Sequence, residues 1–459
     1  MQQPQAQPAE KFSEKFTDHA VNGVNPTEQT ADFVAAHRTE DVRQLALKAK
    51  RVEGLDLPLA LDQIAGWQIA CKKLPQWASC EGIIYPPHIS MEQCSSQFTA
   101  QYKSEIAQTL LTPAVTVRAR MSDSAESDTQ ETKTGVRVTD SPESDTLVAR
   151  SSMVDLTGGF GVDFSYLARG FSQATYVERQ RHLCDLAEHN MAALGLDQAR
   201  IVCGDGVECL RQMDPVDFIY LDPARRDEHG SRTYAIEDCT PNVLELRDLL
   251  LAKSQCTLVK LSPMLDWRKA VADFDGTVRE VHIVATGNEC KELLLVLGQQ
   301  VHEEPSAPRV FCVNDNQRID YDSAAYTQGL RIGGKPLPET KNYLYEPNAS
   351  IMKAGCFDLV EERFGVTQVG PSSHLFVSAT PVADFPGRGF AIEAIGGMNK
   401  KDIKRLLNGT KQANIAVRNF PLTAPQLRKK LKLADGGPVY LFGTTMQGCD
   451  HVLLRTSKI

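Results

Sequence analysis

The sequence lacks the features that mark membrane-spanning, secreted and zinc-binding proteins. It contains no apolar run of about 18 residues, which argues against a transmembrane helix. Its N-terminal segment has neither the basic nor the apolar region of a signal peptide. The 12 cysteines are scattered and form no Cys-x-x-Cys pair, so neither a metal site nor a disulfide framework is expected. We therefore expect a cytoplasmic protein without a membrane anchor and without a metal.

The dinucleotide fingerprint Gly-x-Gly-x-x-Gly is also missing. The nearest match begins at Gly159 and places Phe164 where the third glycine would let a helix pack closely on a strand. Asp155 precedes this loop and Asp163 follows it, and both carboxylates would repel a pyrophosphate. The same carboxylates would attract a cofactor with a cationic methionine moiety. This pattern favours S-adenosylmethionine (SAM) over NAD.

The sequence does contain a strand, a glycine turn and a helix start between residues 153 and 163. An apolar run leads to Asp155, and the segment from Phe164 onwards is typical of a helix. Glycines at such a turn let the backbone come close to a bound cofactor. The residues predicted to bind the cofactor here are Asp155, Thr157, Gly158, Gly159, Gly161 and Asp163.

Polar residues also follow the next predicted strands. Glu178 ends the second strand, and its separation from Asp155 in the sequence suits an acidic side chain that binds both ribose hydroxyls. Asp205 and Gly206 follow the third strand, where a carboxylate can reach the adenine edge. A fourth strand over residues 216–221 leads into Asp222, and a fifth covers residues 256–263. Ligands of an open α/β sheet lie at such strand ends.

Residues 151–300 resemble the class I SAM-dependent methyltransferases, since the acidic and glycine positions described above fall at that family's successive motifs. The loop over residues 154–163 is similar to that of RNA cap guanine-N2 methyltransferases of the trimethylguanosine synthase type. The whole chain resembles bacterial methyltransferases with a THUMP-like C-terminal domain, a resemblance carried by residues 91–103, residues 345–355 and roughly the last seventy residues. It implies a Rossmann-like α/β core, SAM as cofactor and structured RNA as partner.

The predicted organisation has six parts. Tracts rich in Gln, Pro and Glu, or in Ser, Asp and Glu, bury too little apolar surface to order themselves, and helical periodicity marks the part between them. The ferredoxin-like assignment of the fifth part is implied by the resemblance. In chain order the parts are a disordered tail (1–28), a helical domain (29–112), a disordered acidic insertion (113–150), the methyltransferase domain (151–300), a ferredoxin-like α+β module (301–388) and a THUMP-like RNA-binding domain (389–459).

The predicted catalytic stretch is Asp222-Pro223-Ala224-Arg225. Nitrogen methyltransferases resembling this chain have Asp or Asn, two prolines and an aromatic residue here. The stretch keeps Asp222 and Pro223 but replaces the second proline by Ala224 and the aromatic by Arg225. A guanidinium can stack on a base or bind phosphate, so Arg225 is assigned to the nucleotide, with pairing to Asp227 or Glu228 as the structural alternative. Asp222 and Pro223 are expected to position the acceptor.

A serine-rich stretch precedes the core. Ser90 with Gln93 three residues on has the pattern of a capping box at a helix start. By resemblance, this element covers the methionine end of SAM, which makes Gln93 and Ser96 candidate contacts. The alternative is a helix that packs against the sheet.

The C-terminal region is strongly basic. Residues 395–437 hold ten basic and two acidic residues, a net charge of +8 in a chain whose total is −8. Such a patch is the expected footprint of a phosphate backbone, although a solvated helix face has the same composition. The predicted RNA-binding residues are Lys400, Lys401, Lys404, Arg405, Arg418, Arg428 and Lys429.

These observations together predict a SAM-dependent methyltransferase that acts on ribosomal or transfer RNA, at a nucleobase nitrogen such as guanine N2. Two alternatives stay open. The acceptor could be a protein or a small molecule, or the chain could be an RNA-binding protein whose inactive methyltransferase fold senses SAM.

Overall fold

The computed structural model describes residues 26–48, 52–111, 151–224, 235–298, 307–326, 340–370, 372–448 and 450–459. Most of the predicted N-terminal tail, the predicted insertion at 113–150, and Arg225 lie outside these residues. The chain forms two compact units. The first comprises residues 1–261 with 296–301, and the second comprises residues 262–295 with 302–459. Within the described ranges, no helix is both long and apolar enough to cross a membrane.

The first unit begins with helices that pack on its sheet domain. Trp77 is fully buried, and its indole Nε1 donates to Oγ of Ser165 over 3.1 Å. The Asn190 side chain bonds both backbone groups of Ile84, at 2.9 Å each. The predicted helical domain is therefore joined to the sheet domain by buried polar contacts. Its helices are α1 (Glu28–His37), α2 (Val42–Lys48), α3 (Leu57–Lys73), α4 (Pro75–Ser79), α5 (His88–Gln93) and α6 (Gln97–Leu111).

A parallel sheet forms the core of the first unit. Its strands are β1 (Ser152–Asp155), β2 (Gln173–Glu178), β3 (Ala199–Cys203), β4 (Val216–Leu221) and β5 (Ser254–Leu261). They lie in the order β3-β2-β1-β4-β5, and all four neighbouring pairs are parallel. The order reverses between β1 and β4, which is where ligands bind in open α/β sheets. The helices between the strands are α7 (Val162–Leu167), α8 (Arg181–Ala193), α9 (Gly206–Gln212) and α10 (Val243–Lys253).

The second unit starts with one helix and four strands, except that residues 296–298 at the end of the second strand are grouped with the first unit. These are α11 (Trp267–Asp273), β6 (Val278–Thr286), β7 (Glu289–Gly298), β8 (Arg309–Asn314) and β9 (Gln317–Asp322). The turn between β6 and β7 contains Gly287 and Asn288 with φ values of 58° and 63°. Two consecutive residues with positive φ favour a tight hairpin. β8 pairs with β6 in parallel and with β9 antiparallel.

A separate seven-stranded sheet carries the C-terminal part of the second unit. Its strands, in the order β11-β12-β10-β13-β16-β15-β14, confirm an α+β architecture. The elements are β10 (Tyr343–Pro347), α12 (Ala349–Ala354), α13 (Phe357–Phe364), β11 (Thr367–Gln368), β12 (Phe376–Ser378), β13 (Gly387–Gly396), α14 (Lys400–Leu407), β14 (Asn414–Arg418), α15 (Ala424–Leu431), β15 (Val439–Thr445) and β16 (His451–Lys458).

Both faces of this sheet are covered by apolar clusters. Leu441 of β15 and Leu453 of β16 belong to one cluster, together with Leu406 of α14 and Leu427 of α15. Their chain neighbours Phe442 and Leu454 belong to the other cluster. Since successive side chains of a strand point to opposite faces, α14 and α15 pack on the same face of the sheet.

Candidate active site

The loop between β1 and α7 has a backbone conformation that favours glycine. Gly159 and Gly161 have φ values of 55° and 83°, a conformation that side chains rarely adopt. A Cβ atom on Gly158 would lie 2.2 Å from Cε2 of Tyr176. The Tyr176 hydroxyl donates to the carbonyl oxygen of Gly159. The tyrosine therefore fills the space beside the loop and also holds its backbone.

Asp155, at the end of β1, is buried beneath this loop. Its Oδ1 accepts from the backbone N–H of Thr157 over 2.9 Å, and the residue is 1% exposed. Burial raises the pKa of Asp155 to about 8, against the hydrogen bond from Thr157 and with help from the negative charges of Asp163 and Asp222. A positively charged ligand group nearby would favour the ionised form.

Glu178, at the end of β2, is bound to the glycine loop. Its Oε2 accepts from the N–H of Gly159 over 3.0 Å, and its Oε1 accepts from the N–H of Gln180 over 2.9 Å. Each carboxylate oxygen can accept a second hydrogen bond. The side chain is thus fixed in place and can still bind hydroxyl groups.

Asp205 lies at the N-terminus of α9 and caps it. Its Oδ1 accepts from the N–H groups of Val207 and Glu208, at 2.9 and 3.0 Å. The next residue, Gly206, passes so near β1 that a Cβ atom there would lie 2.2 Å from the carbonyl oxygen of Leu156. Gly206 therefore has a packing role, and Asp205 keeps its Oδ2 for other contacts, including Arg179 at 4.0 Å.

Asp222 is held at several points. Its backbone N–H donates to Oγ1 of Thr157 over 2.7 Å, which links it to the glycine loop. Its Oδ2 accepts from Nζ of Lys260 over 2.6 Å. Ala224, two residues on, exchanges backbone hydrogen bonds of 2.8 and 3.0 Å with Thr240. The structure thus brings Asp155, Thr157 and Asp222 together, whereas Arg225 lies outside the described residues.

Asp163 lies inside a buried ionic network. Its carboxylate accepts from Ser95 Oγ (2.8 Å), Tyr220 OH (2.7 Å) and Lys103 Nζ (3.1 Å), and Lys260 Nζ lies 3.6 Å away. Burial by itself would raise the pKa of Asp163, but the two ammonium groups and the two hydroxyl donors outweigh it and hold that pKa well below its usual range. Asp163 therefore keeps a negative charge below the glycine loop.

Sequence reasoning missed Ser95, Lys103, Tyr220 and Lys260. Two of them carried a readable signal: Lys260 interrupts an apolar strand, and Lys103 lies on the same helical stripe as the buried Ala100 and Ala107. A lysine at a core position requires a buried negative partner.

The predicted capping box at Ser90 is wrong. The helix begins at His88, and Pro87 at its N-cap makes no side-chain hydrogen bond because a proline side chain has no acceptor. Ser90 is therefore inside α5. Gln93 is exposed, and Ser96 instead caps the start of α6 by accepting from the N–H of Thr99 over 3.2 Å.

The predicted RNA-binding residues fall into two groups. The lysines at the solvent side of α14 and α15 are exposed and, in the part of the chain that the structure describes, take part in no ion pair: Lys400, Lys401, Lys404 and Lys429. Lys411, Lys430 and Lys432 share both properties. We call these seven residues the lysine face.

The three arginines of the prediction are engaged in ion pairs within the second unit. Arg405 contacts Asp402 at 3.3 Å, and Arg428 is paired with Asp435. Arg418 contacts Glu346 at 2.8 Å. Their guanidinium groups serve the fold, so the free positive charge of this region comes from lysine.

Sequence profiles and solved structures identify the class of protein. The profile of protein-L-isoaspartate (D-aspartate) O-methyltransferase matches residues 141–227, a ferredoxin-like domain profile matches residues 343–386, and a THUMP-like domain profile matches residues 387–458. No curated protein matches the chain. Two partial structural matches are an O-methyltransferase from Bacillus cereus in complex with SAH (10% identity, 56% of this chain and 96% of that chain, TM-score 0.31) and an rRNA methylase from Streptococcus thermophilus (15%, 33% and 88%, TM-score 0.25).

A crystal structure from Porphyromonas gingivalis W83, of a protein inferred to be a methyltransferase, matches almost the whole chain. The two sequences are 30% identical over 94% of this chain and 97% of that chain, with a TM-score of 0.75. The chain therefore belongs to the same methyltransferase family. It is a SAM-dependent methyltransferase with ferredoxin-like and THUMP-like C-terminal domains. The glycine loop and the strand-end carboxylates suit SAM, a cofactor with a cationic methionine moiety and ribose hydroxyls.

Proposed function

We propose that the protein methylates ribosomal or transfer RNA in the cytoplasm, at a nucleobase nitrogen such as guanine N2. The observation that carries this proposal is the lysine face. Lysines without ion pairs keep their charge available for phosphates, and such contacts supply most nonspecific affinity for nucleic acids. The lysine face lies within the match to the THUMP-like profile.

The cofactor site follows from the strand ends. Asp155, Gly158, Gly159 and Gly161 would hold the methionine part of SAM, with Thr157 and Asp163 supporting the loop from its inner side. Glu178 would bind the ribose hydroxyls, and Asp205 with Gly206 would border the adenine. When bound, SAM supplies an electrophilic methyl carbon.

Asp222 is placed to receive the acceptor. Its side chain is 37% exposed, and its Oδ1 has no hydrogen-bond partner among the described residues. It would accept a hydrogen bond from the exocyclic amine, and this bond strengthens as positive charge develops on the nitrogen. The nitrogen would gain the methyl group as the sulfur–methyl bond of SAM breaks and leaves a neutral thioether, and the proton that the nitrogen releases would pass to solvent beside Asp222. Pro223 orders the backbone beside it, and Arg225 is proposed to stack on the base or bind its phosphate.

The direct test is transfer of radiolabelled methyl groups from SAM to RNA from cells that lack the gene, with RNA from normal cells as control. Label should enter only the deficient RNA, because normal RNA already carries the modification. The isoaspartyl methyltransferase match raises a protein acceptor as the second candidate. Label in the protein fraction and in neither RNA would support that candidate and contradict the proposal.

The lysine face is tested by charge reversal at two exposed residues, Lys400→Glu with Lys429→Glu. The matched control reverses two exposed lysines of the N-terminal helices, Lys48→Glu with Lys72→Glu, which changes the net charge equally. The slope of log affinity for RNA against log salt should fall by about 1.4–1.8 in the test variant, for two lost phosphate contacts. Equal slopes in both variants would show that the lysine face does not bind RNA.

A further inference from the structure

A continuous chain of charged side chains runs from the interior of the first unit to Asp222. Lys103 donates to Asp163 over 3.1 Å, Lys260 lies 3.6 Å from Asp163, and Lys260 donates to Asp222 over 2.6 Å. Ser95 adds an Oγ within 3.3 Å of both ammonium groups. The side chain of Lys103 is 0% exposed and that of Lys260 is 12% exposed. Of the four charged groups, only Asp222 is substantially open to solvent.

The position of Lys260 is set by the register of the sheet. Leu221 of β4 pairs with Val259 of β5, so Asp222 and Lys260 are the next residues along two neighbouring parallel strands. Lysine in a buried strand is costly unless its charge is paired. Two carboxylates on the same side meet that cost, and they restrict the ammonium group to the space between them.

Asp163 in turn is fixed by Lys103, Ser95 and Tyr220. The network therefore consists of two cations and two anions, and its buried end, at Asp163, is fixed by several hydrogen bonds. Lys260 links this fixed end to Asp222, since no other described side chain bonds the Asp222 carboxylate.

We propose that Lys260 is a positioning residue of methyl transfer: its ammonium group holds Oδ2 of Asp222 so that Oδ1 is presented to the acceptor. This inference rests on the role given to Asp222 in the proposed function. It assigns Lys260 no contact with the acceptor. Its effect is geometric, and a misplacement of about 1 Å in such a group costs on the order of 100-fold in rate.

The test is a double-mutant cycle between Lys260→Met and Asp222→Asn. For each variant, kcat, the KM for the acceptor and the Kd of SAM are measured. The acceptor is whichever macromolecular fraction of the gene-deficient cells takes label from the wild-type enzyme. We expect Lys260→Met to lower kcat by on the order of 100-fold while the Kd of SAM changes less than about twofold. In the Asp222→Asn background, the same substitution should change kcat by less than about twofold, because the group that it positions is already altered.

Two further variants separate positioning from folding. Lys260→Gln keeps a hydrogen-bond donor near Asp222 without the charge, and it should retain more activity than Lys260→Met. Lys253→Met makes the same change at a lysine outside the network, whose Nζ donates to the carbonyl oxygen of Met213, and it should keep kcat within about twofold. If Lys260→Met does not fold, the comparison of Lys260→Gln with Lys253→Met carries the test.

The outcomes separate the role of Lys260 from the role of Asp222. An inactive Asp222→Asn variant combined with a fully active Lys260→Met variant would overturn the positioning role and leave the proposed role of Asp222 intact. Additive losses in the cycle would also overturn it, since they indicate a general structural effect. Full activity of Asp222→Asn would refute the role of Asp222 and, with it, that of Lys260. Label in protein alone would refute the RNA proposal, and the cycle measured with that protein fraction would then test the role of Lys260 in the same way.

Discussion

The tight contact between Gly158 and Tyr176 yields a sharp prediction about the glycine loop. In a Gly158→Ala variant the new Cβ atom would lie 2.2 Å from Cε2 of Tyr176, whereas ordinary contact begins at 3.4 Å. The ring must therefore move by about 1.2 Å. Tyr176 is fully buried, so there is no free space into which it can move at low cost.

The expected cost has two parts. Overpacking of a core costs about 1–3 kcal/mol, and loss of the hydrogen bond from Tyr176 to Gly159 adds about 0.5–1.5 kcal/mol. We expect the first unit to lose about 2–4 kcal/mol of stability. Because the loop that holds SAM would shift with the ring, the Kd of SAM should rise at least about tenfold, which corresponds to 1.4 kcal/mol.

Hydrogen exchange of the β1 and β2 amides reports stability in the first unit alone, and calorimetric titration reports SAM affinity. The matched control is Gly204→Ala at the end of β3, where a Cβ atom would meet nothing within 4 Å. The control should exchange and bind SAM like the wild type. A Gly158→Ala variant that matches the control in both measurements would refute the argument that the tyrosine ring supports the loop.

Two further predictions concern buried carboxylates. The pKa of about 8 for Asp155 means that this carboxyl group is mostly protonated at neutral pH without ligand. The affinity for SAM should therefore increase as pH rises towards about 8, and SAM binding should release a proton. Calorimetry in two buffers of different ionisation enthalpy measures the released proton, and an unchanged pH dependence in Asp155→Asn would contradict this prediction. Glu346→Gln removes the 4%-exposed carboxylate shared by Arg388 and Arg418. It should destabilise the second unit by about 1–3 kcal/mol, discounted because both arginines are partly exposed. Glu393→Gln, which breaks the more exposed pair with Arg455, should cost less than about 1 kcal/mol, and equal hydrogen-exchange effects at β10 and β13 would contradict this ranking.

The sequence predicted the elements and the strand ends well, because both follow from local patterns. The predicted fourth strand coincides with β4, and the fifth differs from β5 only at its ends. Asp155, Glu178, Asp205 and Asp222 could be assigned to one edge because parallel strands end together.

Contacts between distant parts of the chain were not predictable in this way. The partners of Asp163 come from residues 57–97 positions away in the sequence, and no local pattern specifies such pairings. Arg418 lies in a basic stretch whose composition is typical of a solvated surface, yet its guanidinium group contacts Glu346, 72 positions away. Composition alone counts charges, whereas only the structure shows which charges are already neutralised.

The structure shows how the backbone after Asp222 is held although Ala224 stands where a second proline was expected. A proline at this position would restrict the backbone after Asp222 by fixing φ. Ala224 has no such restriction, but its N–H donates to Thr240 over 2.8 Å and its carbonyl accepts from Thr240 over 3.0 Å. Proline has no N–H and could not make the first of these bonds. The segment after Asp222 is therefore held by strand pairing in place of a ring, and the aspartate is still fixed from both sides, by Thr157 at its backbone and by Lys260 at its carboxylate.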